Sequence, residues 1–574
     1  MEIRLPAETK VGDGTRDPAS RGRVPEFLGL PADVLVRHRA RLLDPSTAVV
    51  GPSGRRVEST VYRADTLLLP LRQALLPDVI ERYNKALEPL GFELKVVLPD
   101  TPTWCKARDR LSPDLQIPIL LLSREDRLSD RAPDPWAALV ALRRSMAGFD
   151  AAEADVDVIE LEHLVAAAAV EVGGAPFGNG SVASPFGNGS FGMPFGNGSA
   201  GLSLATGARN PVRVFVPEPK RCGDPKQLPA GRRPVVAVLD TGIGDHPWLT
   251  LAPADPDPVI EVSEEFQTLL SDQEAAVALA SGAPEPPRLT PFEERDVIQP
   301  LLGLTDSVAG HGTFVAGLVF QNCPDARILS LRVLHTDGIG SDASVLLALE
   351  WLHDRHKAAL TDNRPEELID VVSLSLGFYP EASNQLISSR LARAVKKLTD
   401  LGVAVVAAAG NDATTRPFVP AAMALNTDGS NNGNELLVAV GALNASGRTV
   451  AAFSNEGDWV TCWAPGNAVV STVPLWEGAE GPDVVVPDPD AELEAEPASG
   501  NGQKRPRTGP DNDDLRTGFA VWAGTSFATP VVAGILAGCL ADRPDGKTDE
   551  ERFERARAAL AETRAKLAEN KWHN

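Results

Sequence analysis

The sequence predicts an α/β fold: a parallel sheet flanked by helices, preceded by a smaller α/β domain. Apolar, β-rich runs alternate with helical patterns from about residue 233 to 545, which is typical of a parallel sheet covered on both faces. The first 168 residues contain a separate series of strand and helix patterns. A stretch rich in Gly, Asn and Ser separates the two series and indicates a linker.

The composition excludes several classes of function. The chain has 574 residues, of which 43% are hydrophobic, so it can bury a large core and should divide into two or three domains. Its net charge of −23 opposes binding to a phosphate backbone. No run reaches the roughly 18 apolar residues that a membrane-spanning helix needs. We therefore expect neither nucleic acid nor a membrane as a partner.

The prediction of the cellular compartment rests on the first residues and on the cysteines. The segment MEIRLPAETKVGDGTRDPASRGR has no apolar run after its charges, so we expect no secretory signal. Five cysteines without a C-x-x-C pair fit small buried thiols in a reducing compartment. Both features predict a cytoplasmic protein. If the chain had been trimmed from a longer precursor, the argument against secretion would fail and the argument from the thiols would stand.

The N-terminal part is expected to contain a partly disordered arm, residues 1–54, and a small α/β domain, residues 55–168. In this domain a strand, a helix, two strands, a helix and a last strand follow one another. Their patterns cover residues 60–69, 71–87, 92–98, 115–122, 135–146 and 156–165. This β-α-β-β-α-β order is that of a ferredoxin-like domain.

Residues 169–232 are predicted to form a flexible linker. The motif Pro-Phe-Gly-Asn-Gly-Ser occurs three times in it, at 176–181, 185–190 and 194–199. Segments so rich in Gly, Asn and Ser bury too little apolar surface to offset the entropy of ordering them. The phenylalanines of the repeats could instead dock on a partner or in a groove of the protein itself, so their role stays open.

The larger domain, residues 233–545, contains apolar strands such as VVAVLD and GVAVVAAAG between helical patterns. Two acidic, Pro-rich inserts, at about 250–300 and 476–516, are expected to be solvated surface loops. Residues 546–574 predict a charged C-terminal helix that packs along the edge of the domain.

Three motifs place reactive side chains at strand ends or helix starts. Asp240 follows the strand VVAVL and opens an Asp-Thr-Gly turn at the carboxyl edge of the sheet. His311 lies in a Gly-His-Gly-Thr motif, and Ser526 starts an apolar helix whose N-terminal amides favour negative charge. Amide hydrolysis needs a nucleophile, a base and a carboxylate that fixes the tautomer of the base. Ser, His and Asp supply these roles.

The order Asp, His, Ser is that of subtilisin, and this segment resembles a subtilisin-like serine peptidase of the subtilase family. The resemblance implies a serine endopeptidase that acts on protein or peptide substrates through an acyl-enzyme intermediate. It also implies that Asn411, after the run Ala-Ala-Gly, donates to the oxyanion beside the N–H of Ser526. No cofactor is implied. The family often binds structural calcium, but no carboxylate cluster identifies a site here, and we predict no metal ligands.

The resemblance extends to substrate binding. The run SLSLG resembles the family's edge strand that pairs with an extended substrate, and the run FVPA resembles the loop that borders the primary specificity pocket. The residues expected to contact substrate are Ser375, Leu376, Gly377, Gly410 and Phe418. Three departures from the family's usual residues leave the shape of the pocket open, namely Phe314, Phe527 and Thr529.

The role of residues 55–168 stays open between two hypotheses. Subtilases are often made with a ferredoxin-like prodomain that assists folding, occupies the cleft and is cut away, so this domain would inhibit the enzyme in cis. Alternatively, it is a permanent domain that recognises a partner of a cytoplasmic protease, with no maturation cleavage. A third hypothesis, a catalytically silent scaffold, requires an unreactive Ser526.

Overall fold

The structure is a computed structural model, and it describes fifteen parts of the chain. They are residues 30, 32–50, 57–124, 132–146, 159–168, 209–252, 255–284, 286, 288–295, 297–299, 304–306, 308–382, 389–424, 433–477 and 514–569. The Pro-Phe-Gly-Asn-Gly-Ser repeats and most of the second acidic insert lie outside these residues. We call the described residues up to 168 the N-terminal unit and those from 209 the α/β unit.

The N-terminal unit is built on an antiparallel sheet with the strand order β5-β2-β4-β3, and β1 pairs with part of β2. Its elements are α1 (Ala32–Arg37), β1 (Ala40–Leu43), β2 (Thr60–Pro70), α2 (Leu71–Ala74), α3 (Pro77–Leu87), β3 (Phe92–Val96), α4 (Pro102–Arg108), β4 (Gln116–Ser123), α5 (Pro135–Met146) and β5 (Glu160–Ala167).

Each strand and helix that the sequence predicts in this unit has a counterpart, and the strand order is that expected of the split β-α-β arrangement. The structure adds β1, which lies in the predicted arm of residues 1–54 and pairs with β2, and α4; the sequence analysis predicts neither. Thr101 caps this helix by accepting a hydrogen bond from the Trp104 N–H, and Pro102 fits the first helical position. The side chain of Trp104 is fully buried in a core cluster that contains residues of both units, which holds α4 in place.

The α/β unit contains a seven-stranded parallel sheet in the order β17-β16-β15-β13-β7-β11-β8. The elements of the unit are β6 (Asn210–Pro211), β7 (Val235–Asp240), β8 (Ile260–Val262), α6 (Glu264–Ser281), β9 (Val297–Gln299), β10 (Leu304–Thr305), α7 (His311–Asn322), β11 (Arg327–Arg332), β12 (Ile339–Ser341), α8 (Asp342–Thr361), β13 (Val371–Leu374), β14 (Leu376–Gly377), α9 (Arg390–Thr399), β15 (Ala404–Ala408), β16 (Leu437–Leu443), β17 (Cys462–Pro465), β18 (Val469–Thr472), β19 (Phe519–Trp522), α10 (Thr525–Ala541) and α11 (Asp549–Ala568).

Helices cover both faces of this sheet, which explains why its central strands are mostly apolar. In β7, Val235 and Ala237 pack into the same core cluster as residues of α8 and α9. Val236 and Val238 pack into a second cluster with residues of α7 and α10. Successive side chains of a strand point to opposite faces, so a central strand between two helical layers has no polar face. This arrangement confirms the predicted α/β fold.

One acidic insert contains a helix that the sequence analysis did not predict. Residues 250–300 were expected to form a solvated loop, and this is wrong for α6. Ser263 caps the helix by accepting from the Phe266 N–H, and Phe266 and Leu269 are fully buried. Apolar residues three or four positions apart gave the helix a buried face, although acidic residues and prolines around it dominate the composition.

The last part of the predicted linker packs against the α/β unit. Residues 210 and 211 in β6 pair with β19, and the buried side chain of Arg232 forms ion pairs with Asp370 and Asp545. Buried, charge-assisted hydrogen bonds such as these fix a segment that has few apolar side chains. Residues 209–232 therefore differ from the predicted flexible linker.

Candidate active site

Asp240 lies at the carboxyl edge of the parallel sheet, as the last residue of β7. Its side chain is buried, and Oδ1 accepts a hydrogen bond from the Thr241 N–H at 2.8 Å. The same oxygen lies 2.7 Å from Nδ1 of His311. A carboxylate in this position keeps the proton of a neutral imidazole on Nδ1 and leaves Nε2 as the basic atom.

His311 is the first residue of α7. The glycines on both sides of it allow the start of this helix to lie close to the turn after Asp240. Gly310 has a φ of +84°, a backbone conformation that favours glycine. A Cβ atom on Gly312 would collide with the carbonyl oxygen of Gly242 in the turn after Asp240. The turn and the start of the helix can therefore approach closely enough for the two side chains to bond.

Aromatic rings surround the imidazole of His311. The ring centroids of Trp522 and Phe527 lie 5.7 and 5.3 Å from that of His311, and Phe314 packs on Phe527 at 4.5 Å. Two departures from the family's usual residues, Phe314 and Phe527, thus form part of the wall of the site. The third, Thr529, is buried and donates to a backbone carbonyl of its own helix.

Ser526 is the second residue of α10, and its hydroxyl is not hydrogen-bonded to the imidazole of His311. Oγ donates a hydrogen bond to the carbonyl oxygen of Ser375 at 2.9 Å, and Oγ of Ser375 donates to the carbonyl oxygen of Ser526 at 2.8 Å. Nε2 of His311 is buried and has no hydrogen-bond partner among the described residues. The structure thus joins Asp240 to His311 and leaves Ser526 bonded to the strand end beside it.

Thr525 fixes the orientation of the Asn411 amide. The N–H and Oγ1 of Thr525 donate to Oδ1 of Asn411 at 2.9 and 3.0 Å, and the N–H of Gly410 donates to Oγ1 of Thr525 at 3.0 Å. A backbone N–H can only donate, so the side-chain atom that it contacts is the amide oxygen. The NH2 group of Asn411 is buried and, in the part of the chain described, has no partner. It can therefore donate to an anion.

The groove beside these residues contains a strand of the protein's own N-terminal unit. Strand β5 runs antiparallel to β14 on one side, where Ala166 faces Gly377 and Ala167 faces Leu376. On its other edge it runs antiparallel to β12, where Val165 faces Gly340. The residues predicted to pair with an extended substrate thus pair with β5.

Ala168, directly after β5, connects this strand to the nucleophile. Its N–H donates to the carbonyl oxygen of Ser375 at 3.0 Å, which extends the ladder by one residue. Its carbonyl oxygen accepts a hydrogen bond from the N–H of Ser526 at 2.9 Å. The carbonyl group of Ala168 therefore lies at the backbone amide that starts the serine helix.

The two predicted pocket residues, Gly410 and Phe418, lie next to each other. A Cβ atom on Gly410 would lie 3.1 Å from Cγ of Phe418, and one on Gly377 would lie 2.8 Å from Cζ and closer still to Cε1. The ring is 3% exposed. Both glycines thus leave room for one phenylalanine ring between the two strand ends.

Glu293, which the sequence analysis did not identify, is buried beside the Asp240–His311 pair. Its Oε1 accepts from the Gly310 N–H at 2.9 Å, and its Oε2 accepts from Oγ1 of Thr241 at 3.0 Å. Burial raises the pKa of this carboxyl to about 8, although the guanidinium of Arg332 opposes the shift. The sequence around Glu293 gives no sign of this role, because the residue lies in the acidic insert and belongs to none of the motifs.

A second group of charges joins β5 to the α/β unit. Nδ1 of His163 lies 3.0 Å from Oδ2 of Asp342, and Nε2 lies 2.8 Å from Oε2 of Glu381. The imidazole also stacks on Phe378 at 4.5 Å. Burial alone would lower the pKa of His163, but the carboxylates of Glu381 and Asp342 outweigh it and raise the pKa to about 10.

No group of three or more His, Cys, Asp or Glu side chains in the described residues is arranged to hold a metal ion, so they identify no calcium site. Among the helices described, none is long and apolar enough to cross a bilayer.

Comparisons with known proteins identify the family of the chain. Residues 231–574 match the model of the subtilase family. The serine protease AprX of Bacillus subtilis (strain 168) is 28% identical over 260 residues, which are 42% of this chain and 50% of that protein. Subtilisin DY of Bacillus licheniformis is 32% identical over 174 residues, 29% of this chain and 54% of that protein. The chain thus spans about half the length of these relatives. Because the family match covers more than half of its residues, the chain belongs to the subtilase family.

Proposed function

We propose that the chain is a serine endopeptidase that hydrolyses peptide bonds of proteins or peptides. The observation that carries this proposal is the position of Ala168. Its carbonyl oxygen accepts from the N–H of Ser526, while β5 lies between β12 and β14 in the way an extended substrate would. A peptide carbonyl held at a serine amide is the arrangement from which acyl transfer starts.

In the proposed first step, Oγ of Ser526 attacks the carbonyl carbon of the substrate while Nε2 of His311 takes the hydroxyl proton. Asp240 holds the proton on Nδ1 and stabilises the imidazolium that forms. The hydroxyl must first rotate from the carbonyl oxygen of Ser375 towards Nε2, because the two groups are not bonded in the structure. Such contacts often tighten when the reactive complex forms.

The attack leaves a negative charge on the former carbonyl oxygen. We assign its stabilisation to the N–H of Ser526 and the unpartnered NH2 group of Asn411. Collapse of the intermediate breaks the C–N bond, and His311 gives its proton to the leaving amine. Water then attacks the acyl-enzyme with His311 as the base, which releases a carboxylic acid and restores Ser526. These steps use only protein groups and water, so they require no cofactor.

The first bond cut would be the chain's own Ala168–Ala169 bond. Ala168 occupies the position of the residue that contributes the attacked carbonyl, and β5 supplies the residues before it. After cleavage the ladder with β12 and β14 remains, so β5 would stay in the groove as a bound product. Residues 55–168 would therefore inhibit the enzyme in cis until they dissociate.

The test compares the intact masses of the purified wild type and the Ser526→Ala variant. We expect the wild type to divide into fragments that end at residue 168 and begin at residue 169, and the variant to remain at full length. Ser330→Ala is the matched control, since it removes another buried serine hydroxyl, in β11. Cleavage of Ser526→Ala at the same bond and rate would contradict the proposal.

A fluorophosphonate label on Ser526 distinguishes the remaining hypotheses. If the wild type stays at full length but the serine is labelled, the N-terminal unit is a permanent module of a closed protease. If the serine is neither labelled nor able to cut the chain, the silent scaffold is the better hypothesis. The label forms a covalent bond only with an activated serine, so it reports the triad directly.

The location of the protein stays a prediction. All five cysteines are free thiols, and those at 323, 462 and 539 are buried. Burial raises the pKa of Cys323 to about 12 and that of Cys462 to about 11, so neither is a reactive thiolate at neutral pH. We propose a reducing compartment such as the cytoplasm, in which thiols persist without disulfides.

A further inference from the structure

The side chain before the proposed cut faces one side of the β5–β14 ladder. Residues opposite each other in antiparallel strands carry their side chains on the same face, and residues two apart share a face. Ala166 is opposite Gly377, and Ala168 continues the ladder through its hydrogen bond to Ser375. The methyl group of Ala168 therefore points to the face on which a Cβ of Gly377 would lie.

The ring of Phe418 occupies that face. It lies against Gly377 at the end of one strand and against Gly410 at the end of another. Ala168 and Phe418 are 5% and 3% exposed, so both side chains are buried. The methyl group of Ala168 and the ring of Phe418 therefore lie on the same face of the ladder.

Neighbouring groups hold the ring in place. The backbones of Phe378 and Val419 exchange two hydrogen bonds of 3.0 and 2.9 Å, which fix the segment that carries Phe418. The ring of Tyr379 packs edge-on against it at 5.0 Å, and the Tyr379 hydroxyl accepts from Nδ2 of Asn455 at 2.7 Å. The ring cannot swing aside without breaking these contacts, because close-packed interiors relax only partially.

We propose that Phe418 restricts the residue before the cleaved bond to small side chains, with alanine, glycine and serine accepted and large apolar residues rejected. This inference rests on the proposed peptidase function and adds the class of substrate. It makes Phe418 a specificity-determining residue, because its ring occupies the volume that a larger substrate side chain would need.

The test uses self-cleavage of the full-length chain at residue 168. We expect Ala168→Phe to slow this cleavage about 10- to 100-fold, the rate equivalent of overpacking a filled site. Ala168→Ser carries a side chain that fits and should be cut after residue 168. Combining Ala168→Phe with Phe418→Gly should restore cleavage after residue 168, since removal of the ring leaves space for the new one.

A second measurement does not depend on the folding of any variant. After self-cleavage and removal of the dissociated N-terminal fragment, the wild type digests an unfolded protein, and mass spectrometry identifies the residue before each cut. We expect these residues to be mainly alanine, glycine and serine. A majority of phenylalanine, tyrosine or leucine, or cleavage of Ala168→Phe at the wild-type rate, would overturn the inference and leave the peptidase intact. A wild type that neither cuts itself nor reacts with a fluorophosphonate would refute the proposed function itself.

Discussion

Buried polar side chains next to the motif residues determine the geometry of the site at the scale of single residues. Glu293 contacts both segments that carry the Asp240–His311 pair. It accepts from Gly310, which precedes His311, and from Thr241, which follows Asp240. Oγ1 of Thr241 also accepts from the Gly312 N–H at 3.0 Å. A change in the charge of Glu293 is therefore expected to act on both segments at once.

We predict that Glu293→Gln removes part of the pH dependence of stability. The folded chain holds the Glu293 proton up to about pH 8, whereas an ordinary glutamate loses it near 4.5. The folded state then binds more protons than the unfolded state in this window, so stability falls as pH rises, by at most about 1.4 kcal/mol per pH unit. Glutamine resembles the protonated carboxyl and should not show this loss.

The measurement is thermal unfolding at pH 5 and pH 8 in the Ser526→Ala background, which prevents self-cleavage. We expect the melting temperature to fall less between these pH values in the Glu293→Gln chain than in its parent. Other titrating groups are common to both chains and cancel in the difference. Equal falls in the two chains would show that Glu293 is already ionised at pH 5.

Sequence reasoning could propose the candidate residues that belong to local motifs, because each motif carries its own turn or helix start. The structure bonds Asp240 to His311 and orients the amide of Asn411, whose NH2 group has no partner among the described residues. Glu293 and His163 were missed for a physical reason. Their partners come from distant segments, so no spacing in the sequence reports them.

At the scale of elements, the start of α7 depends on a close approach to the turn after β7. We predict that Gly312→Ala destabilises the fold by about 1 to 3 kcal/mol, the usual cost of overpacking, because its Cβ would collide with the carbonyl oxygen of Gly242. The helix would have to shift away from the turn. We therefore expect slower fluorophosphonate labelling of Ser526 as well as a lower melting temperature.

Gly538→Ala is the matched control for this prediction. Gly538 lies inside α10, and a Cβ there would have nothing within 4 Å. Alanine in a helix is favoured over glycine by about 0.5 to 1 kcal/mol, so this variant should be slightly more stable than the wild type. If Gly312→Ala proved as stable as Gly538→Ala, the close approach of α7 to the turn would be contradicted.

Element order was predictable, whereas the helix in the first acidic insert was not recognised. Strands β2 to β5 and the long helices α3 and α5 of the N-terminal unit follow strong apolar patterns, and each was found, whereas β1 was not. In α6 the signals were also present, with Ser263 as cap, Glu264 and Glu265 in the first turn, and Phe266 and Leu269 on one face. The prediction of a loop rested on composition, in which the prolines and acidic residues around the helix outweighed these signals.

At the scale of the whole molecule, one strand connects two units whose folds could be predicted separately. β5 belongs to the N-terminal sheet through β2 and to the α/β unit through β12 and β14. More than 150 residues of sequence separate β5 from either partner in the α/β unit. Strand pairing over such a distance leaves no local pattern, so an occupied groove was a hypothesis from the family resemblance and could not be derived from the residue pattern.

The ion pairs of His163 make the docking of the two units dependent on pH. In the docked state Asp342 and Glu381 raise the pKa of His163 to about 10, whereas a solvated histidine titrates near 6.5. Glu160 at the same interface has a pKa of about 7 because of burial, opposed by Arg390. Both groups bind protons more tightly when docked, so docking weakens as pH rises. The contribution of Glu160 to docking is lost as pH rises to about 7, and that of His163 is lost as pH rises to about 10.

We predict that, after self-cleavage, the N-terminal fragment dissociates more readily at pH 9 than at pH 7. If one proton is lost on release, its dissociation constant should rise by up to about tenfold per pH unit. The fraction of fragment that coelutes with the α/β unit in size-exclusion chromatography measures this change.

The His163→Gln fragment should bind more weakly at pH 7, and its binding should vary less with pH. His246→Gln, which alters a buried histidine packed on Trp248 away from these carboxylates, is the control and should retain the wild-type pH dependence. A wild-type fragment that binds equally well at pH 7 and pH 9 would mean that His163 is not protonated in the docked state.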